Sequence, residues 1–234
     1  MNYKDILEFI RTKVEEKRKI REMHNRLLVS IDKRKICNKK TDIVIDGYPR
    51  SGNSYCVHLV EMQNPNLSIS HHTHLPNNIK LAILLKKPII VVIRSPQEAI
   101  LSNLIYSDND LGKLCDDYLE YYELIFRFRY RVNIVIFEDV IQNEKLLYEA
   151  VELETGKKIN KETTTAEMEE RTRNKHKREM NQSLITIKSG MPSVKRNEVK
   201  KKLAPKVKRF LTQRNDVVEI HKKVTDFVNK SKRD

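Results

Sequence analysis

A chain of 234 residues is long enough to bury one sizeable hydrophobic core, and with 33% charged residues it contains no apolar run near the ~20 residues needed to cross a bilayer, so it reads as soluble. The net charge of +14 points to anionic partners, either a multiply charged nucleotide or a polyanion. Three scattered cysteines, Cys37, Cys56 and Cys115, with no C-x-x-C pair, supply neither a disulfide framework nor a zinc site and read as buried thiols.

In chain order, residues 3–35 carry Ile6, Ile10 and Val14 at helical spacing among Lys, Arg and Glu, which predicts an amphipathic helix. Charge interrupts this segment throughout, so it lacks a signal-peptide core and the expected location is the cytoplasm. TDIVID (41–46) predicts a buried strand ending at Gly47, and Tyr55, Leu59 and Met62 predict a helix over 52–64. PIIVVI (88–93) predicts a second strand, followed by a helix that Ser95 caps and Pro96 opens. A long helix is expected within 110–131, its stripe of Tyr118, Tyr121, Tyr122 and Phe126 forming core or pocket wall. VNIVIF (132–137) predicts a third strand, with one helix through EDVIQNEKLLYEAVELETG. Beyond 160 the chain turns basic, with RTRNKHKR (171–178) and SVKRNEVKKK (193–202).

Strands alternating with helices imply an α/β fold of three layers, a mostly parallel sheet flanked by helices. The expected organisation is a single domain over 1–234, with an N-terminal helical extension (1–40), a nucleotide-binding core (41–160) and a basic helical region (161–234).

The segment GYPRSGNSY (47–55) spaces Gly47 and Gly52 as a phosphate loop of the G-x-x-x-x-G-K-[ST] type does, yet Asn53 replaces the lysine. A glycine turn opening a helix offers backbone N–H groups to an anion, and Arg50 is the loop's own cation. Without the lysine that reaches β/γ-phosphates, triphosphate chemistry is disfavoured.

GYPRSGNSY resembles the 5′-phosphosulfate loop of sulfotransferases that use 3′-phosphoadenosine 5′-phosphosulfate (PAPS). VVIRSPQEAILS resembles that family's 3′-phosphate signature, with Arg94 and Ser102 in place, and HHTHLP (71–76) resembles its T-H-L-P segment, with His74 at the catalytic base. The matches cover about residues 41–155 in the family order. The resemblance implies a P-loop-like fold and transfer of a sulfuryl group from PAPS to a hydroxyl, less readily an amine, without a metal. His74 and Arg50 would be catalytic; Arg50, Ser51, Gly52, Asn53, Ser54, Tyr55, Arg94 and Ser102 would bind the nucleotide.

Three departures stand out. His72 occupies the position of a lysine usual before the T-H-L-P segment and would share its role or contact the acceptor. IKSGMPSVKRN (187–197) keeps Lys188, Gly190, Lys195 and Arg196 of a segment that closes over the 3′-phosphate, but no tryptophan. The chain is also shorter than typical members, which would leave part of the acceptor pocket open, missing or supplied by a second subunit of a homodimer. Two alternatives remain: a P-loop kinase or NTPase with a degenerate loop, and a non-catalytic basic module for a polyanion, with nucleic acid disfavoured because aromatics do not alternate with the basic residues.

Overall fold

Short β-branched runs form the sheet because extended Val and Ile pack on both of its faces. β1 (Ile43–Asp46), β2 (Ile69–His71), β3 (Ile89–Ile93) and β4 (Asn133–Ile136) are all parallel, in the order β2-β1-β3-β4. Ile45 lies opposite Ile90, and Val92 opposite Val135. The structure is a computed structural model that describes residues 36–107, 109–159 and 194–231, with Thr12, Glu15, residues 18–20 and Glu22 in a helical stretch. Ile6, Ile10, Val14, Lys188 and Gly190 therefore lie outside the described residues.

Helices cover both faces of the sheet. α1 (Asn53–Gln63) follows β1, α2 (Pro76–Leu84) follows β2, and α3 (Pro96–Tyr106) and α4 (Leu111–Arg127) follow β3. After β4 come α5 (Phe137–Gln142) and α6 (Lys145–Thr155), and the basic region contributes α7 (Val194–Leu211) and α8 (Asn215–Ser231). Period-2 alternation sends Ile45, Ile90 and Val92 into a core with Val60 and Val151, and sends Val44 and Val91 into another with Tyr118, Val207 and Val224. Each buried Val, Leu or Ile contributes about 1.5–3 kcal/mol, which is why the strand runs are apolar on both faces. All three cysteines are buried and free. No helix among the described residues is long and apolar enough to cross a membrane.

The predicted elements shift in four places. β2 was not anticipated, because three residues of mixed polarity give no alternation to read. The third strand stops at Ile136, and Phe137 starts α5. The expected single helix after it divides at Asn143, which is extended (φ −148°) and accepts a hydrogen bond from Lys145 N at 3.3 Å. The long helix ends at Arg127, with a 3₁₀ turn at Arg129–Arg131. The start of α3 is as expected: Pro96 opens it, and Ser95 Oγ accepts from Glu98 N at 3.4 Å.

Both loop glycines are needed for close approach. A Cβ on Gly47 would sit 2.3 Å from Val92 O, and one on Gly52 would sit 2.1 Å from the Phe137 ring. Gly52 is also left-handed, with φ 97°. Gly52→Ala thus combines backbone strain of about 1–3 kcal/mol with overpacking of about 1–3 kcal/mol. A large fall in thermal midpoint is expected, partly restored by Phe137→Leu. Gly156→Ala, with φ 66° and open space at the added carbon, should cost much less.

Candidate functional site: an arginine cluster and a histidine–aspartate pair about one loop

The 47–52 loop leaves the C-terminal end of β1 and opens α1, so the first N–H groups of α1 face outward from the turn. Gly52 provides no side-chain cap to them. Arg50 (φ 67°), His72 (φ 55°) and His74 (φ 53°) are three of the four non-glycine residues held left-handed among the described residues. Such backbone is costly and concentrates at functional sites.

On one side of the loop three guanidiniums converge. Arg196 Nη2, from the first turn of α7, donates to Ser102 Oγ at 2.9 Å, and Arg50 Nε donates to the same oxygen at 3.3 Å. Arg94 Nη1 donates to Arg50 O at 3.2 Å, while its Nη2 pairs with Glu98 at 3.3 Å. Arg94 Nε is buried without a hydrogen-bond partner among the described residues. Burial, then the charge of Arg196 and that of Arg94, push Arg50 down to about 10, with Tyr106 acting in the opposite sense. Burial and Arg94 likewise lower Arg196. Cations that depress one another's ionisation form a site whose charge is relieved by a bound anion.

Arg94 and Ser102, the two residues of the 3′-phosphate signature, do not bond one another. Glu98, one turn along α3, captures the Arg94 guanidinium, and Ser102 instead meets Arg50 and Arg196. Lys200 also reaches Glu98, at 3.3 Å, tying α7 to α3. Lys195 lies in α7 beside Arg196.

The loop's polar side chains divide inward and outward. Ser51 is fully buried and its hydroxyl donates to the Tyr122 oxygen at 3.2 Å, since Tyr122 gives its own proton to Val92 O. Asn53 is also buried, and Nδ2 donates to Gly47 O and Tyr48 O at 3.3 and 3.0 Å, bracing the loop from within. The Ser51 N–H is itself spent on Tyr48 O at 3.1 Å, so of these two residues only the Asn53 backbone N–H is left to offer an anion. Ser54 is exposed and bonds His72 Nε2 at 2.7 Å, which turns His72 toward the start of α1. Tyr55 reaches away to Glu144 at 2.7 Å.

On the other side of the loop stands His74, held by a residue the sequence reading missed. Asp46, fully buried at the end of β1, accepts from Gly47 N (3.0 Å), His74 N (3.0 Å), Thr73 N (3.1 Å) and the Thr73 hydroxyl. Burial pushes Asp46 up, but its bond to His74, the charge of His74 and the bonds to Thr73 and Gly47 hold it below the usual carboxylate range. His74 Nδ1 lies 2.8 Å from Gly47 O and 3.3 Å from Asp46 Oδ1. Both are acceptors, so Nδ1 carries the proton and Nε2 of the neutral ring keeps its lone pair. Burial lowers His74, but the bond to Asp46, its charge and the Gly47 carbonyl together raise it above the ordinary value. An apolar run ending in an acid directly before Gly47 was the available signal for Asp46.

His74 lines a cavity of about 420 Å³ between α2 and α4, with Tyr48, Pro49, Leu75 and Tyr121 among its walls. The Tyr121 hydroxyl is buried with no partner among the described residues. A cavity of about 470 Å³ along β4 contains none of the predicted site residues. Phe137, packed on Gly52, also lies 5.1 Å beneath the Arg94 guanidinium, and Glu138 accepts from Ser95 N at 3.1 Å. The start of α5 therefore supports both anion-facing segments.

No known protein-family model matches the chain, and no curated protein sequence matches it.

Proposed function

We propose that this protein is a PAPS-dependent sulfotransferase with a P-loop-like nucleotide site, transferring a sulfuryl group to an acceptor hydroxyl. The observation that carries the reading is the division of the 47–52 loop. Three arginines and the open N-terminus of α1 lie on one side, and a histidine oriented by a buried aspartate lies on the other, at a cavity. Two-centre anion binding beside a base is what sulfuryl transfer from a nucleotide bearing two phosphate groups requires.

The residues fit such a nucleotide. Arg50 and the N–H groups opening α1 would hold the 5′-phosphate, and Ser102, Arg196 and Arg94 the 3′-phosphate, with the unpartnered Arg94 Nε as a further donor. When bound, PAPS supplies an S–O bond whose phosphate side departs with the bonding electron pair as the acceptor oxygen bonds to sulfur. His74 Nε2 takes the acceptor's hydroxyl proton, and Asp46 stabilises the resulting imidazolium. Arg50 offsets the charge left on the phosphate. The products are a sulfate ester and adenosine 3′,5′-bisphosphate (PAP).

A triphosphate reading is less well supported, because Asn53 in the lysine's position is neutral and buried under the loop. Calorimetric titration with PAP and with ATP at matched salt separates the two. PAP is expected to bind at least tenfold tighter. Equal or stronger binding of ATP, or no heat with either nucleotide, would sink the assignment.

A further inference from the structure

The His74 cavity has a composition unlike the rest of the chain. In a protein of net charge +14, the charged side chains on its walls are Lys80 from α2 and Lys113, Asp117 and Glu120 from α4, two positive and two negative. None of the arginines of the anion cluster lines it. Lys113 and Asp117 satisfy one another at 2.6 Å. The side chains of Lys80 and Glu120 make no hydrogen bond or ion pair among the described residues. The cavity thus presents a cation from α2 and a carboxylate from α4 that no hydrogen bond or ion pair among the described residues holds, with Glu120 near enough to Lys113 to add to the pull of Asp117 on its charge.

The apolar part of the wall lies beside the chemistry. Tyr48, Pro49, Leu75 and Tyr121 surround His74, and the volume of about 420 Å³ falls within the range of small-molecule sites. On α4 the wall residues Lys113, Asp117, Glu120, Tyr121 and Leu124 follow helical spacing, so charge and apolar surface form one continuous stripe.

Resting on the sulfotransferase reading, we propose that the acceptor is a small, net-neutral hydroxyl compound with an aryl-sized body that carries both an anionic and a cationic group. The body fills the aromatic wall and brings its hydroxyl to His74 Nε2. The anionic group pairs with Lys80 and the cationic group with Glu120. A polyanionic acceptor would meet two carboxylates in a cavity whose lining carries no net charge. A simple cation would gain Glu120 yet face the field of a strongly basic protein without an anion for Lys80.

The test uses phenols with short side chains of different charge: tyrosine, tyramine, 4-hydroxyphenylacetate and 4-ethylphenol, with a heparin hexasaccharide as the polyanion. Each is titrated calorimetrically into the full chain, with and without saturating PAP. Tyrosine is expected to bind at least tenfold tighter than the other phenols. Lys80→Met should remove its advantage over tyramine, and Glu120→Gln its advantage over 4-hydroxyphenylacetate, both with unchanged thermal midpoints. Equal or tighter binding of 4-ethylphenol, preference for the hexasaccharide, or no phenol binding in either state would overturn the proposal. Failure of the donor reading shows separately, as absence of PAP binding, while the phenol ranking on the nucleotide-free protein still tests the cavity.

Discussion

On the proposed function, His74→Ala is expected to reduce sulfuryl transfer by about 10²–10⁴-fold while leaving PAP affinity largely unchanged, because the imidazole lines the cavity proposed for the acceptor and the arginines proposed to hold the nucleotide lie on the other side of the loop. The pH dependence gives a second readout. His74 acts as a base only when neutral, and its ionisation is raised above the ordinary imidazole value, so the acid limb of kcat/KM should lie above the usual position near pH 6.5. Asp46→Asn removes the charge that holds it there and should move that limb to lower pH. The Gly47 carbonyl still accepts from Nδ1, so this variant should retain more activity than His74→Ala.

The same pair has an opposite effect on stability. Asp46 is depressed on folding, so its contribution is present above the unfolded carboxylate value and is lost as pH falls through the folded one. His74 is raised, so its contribution is fully present below the unfolded imidazole value and is lost as pH rises through the folded one. Both contributions are thus complete between the unfolded carboxylate and unfolded imidazole values, and they fade toward Asp46's depressed value on the acid side and His74's elevated one on the alkaline side. Catalysis should rise with pH where the His74 contribution fades. A rate that instead falls across that range, or survives His74→Ala, would remove His74 from the reaction.

Arg196→Met should weaken PAP binding by roughly 10–100-fold, the loss expected for removing one charge-assisted contact of about 1.5–3 kcal/mol. The nucleotide-free protein should lose little stability, since the lost bonds to Ser102 are offset in part by relief of the repulsion that depresses Arg50's ionisation. A large loss of affinity with little change in thermal midpoint is the signature of a site strained toward its ligand. Arg50→Ala should weaken binding similarly. The double variant should not be additive, because both guanidiniums donate to Ser102 Oγ. If the double variant still bound PAP as tightly as the parent, the nucleotide would have to be held elsewhere.

Much of the candidate site was legible because its signals are local. The Gly47–Gly52 spacing, the strand before it and the helix after it lie within 21 residues of chain, and the Ser95–Pro96 helix start spans one turn. Arg196 was legible through the resemblance of 187–197 to a segment that closes over the 3′-phosphate, whereas by charge alone it is one of several basic residues in a run. Nothing in that run distinguishes it from Lys201 or Lys202, which are exposed on the same helix while Arg196 is 3% exposed. The loop's polar side chains also offer an anion less than their positions in the sequence imply. Ser51 and Asn53 are polar in a loop, yet both turn inward to satisfy partners that only the folded chain brings near.

By itself the sequence determined the α/β alternation, strands within 41–46, 88–93 and 132–137, and the glycine turn that opens α1. These follow from side-chain periodicity and from conformations available to single residues, and they need no distant contact. The tertiary structure alone decided which groups meet. It placed Asp46 against His74, 28 residues away, and Arg196 against Ser102, 94 residues away, and it gave Arg94 to Glu98 rather than to Ser102. Each outcome depends on how helices and turns close over the sheet, where a buried charge or hydroxyl takes the partner that packing brings within reach.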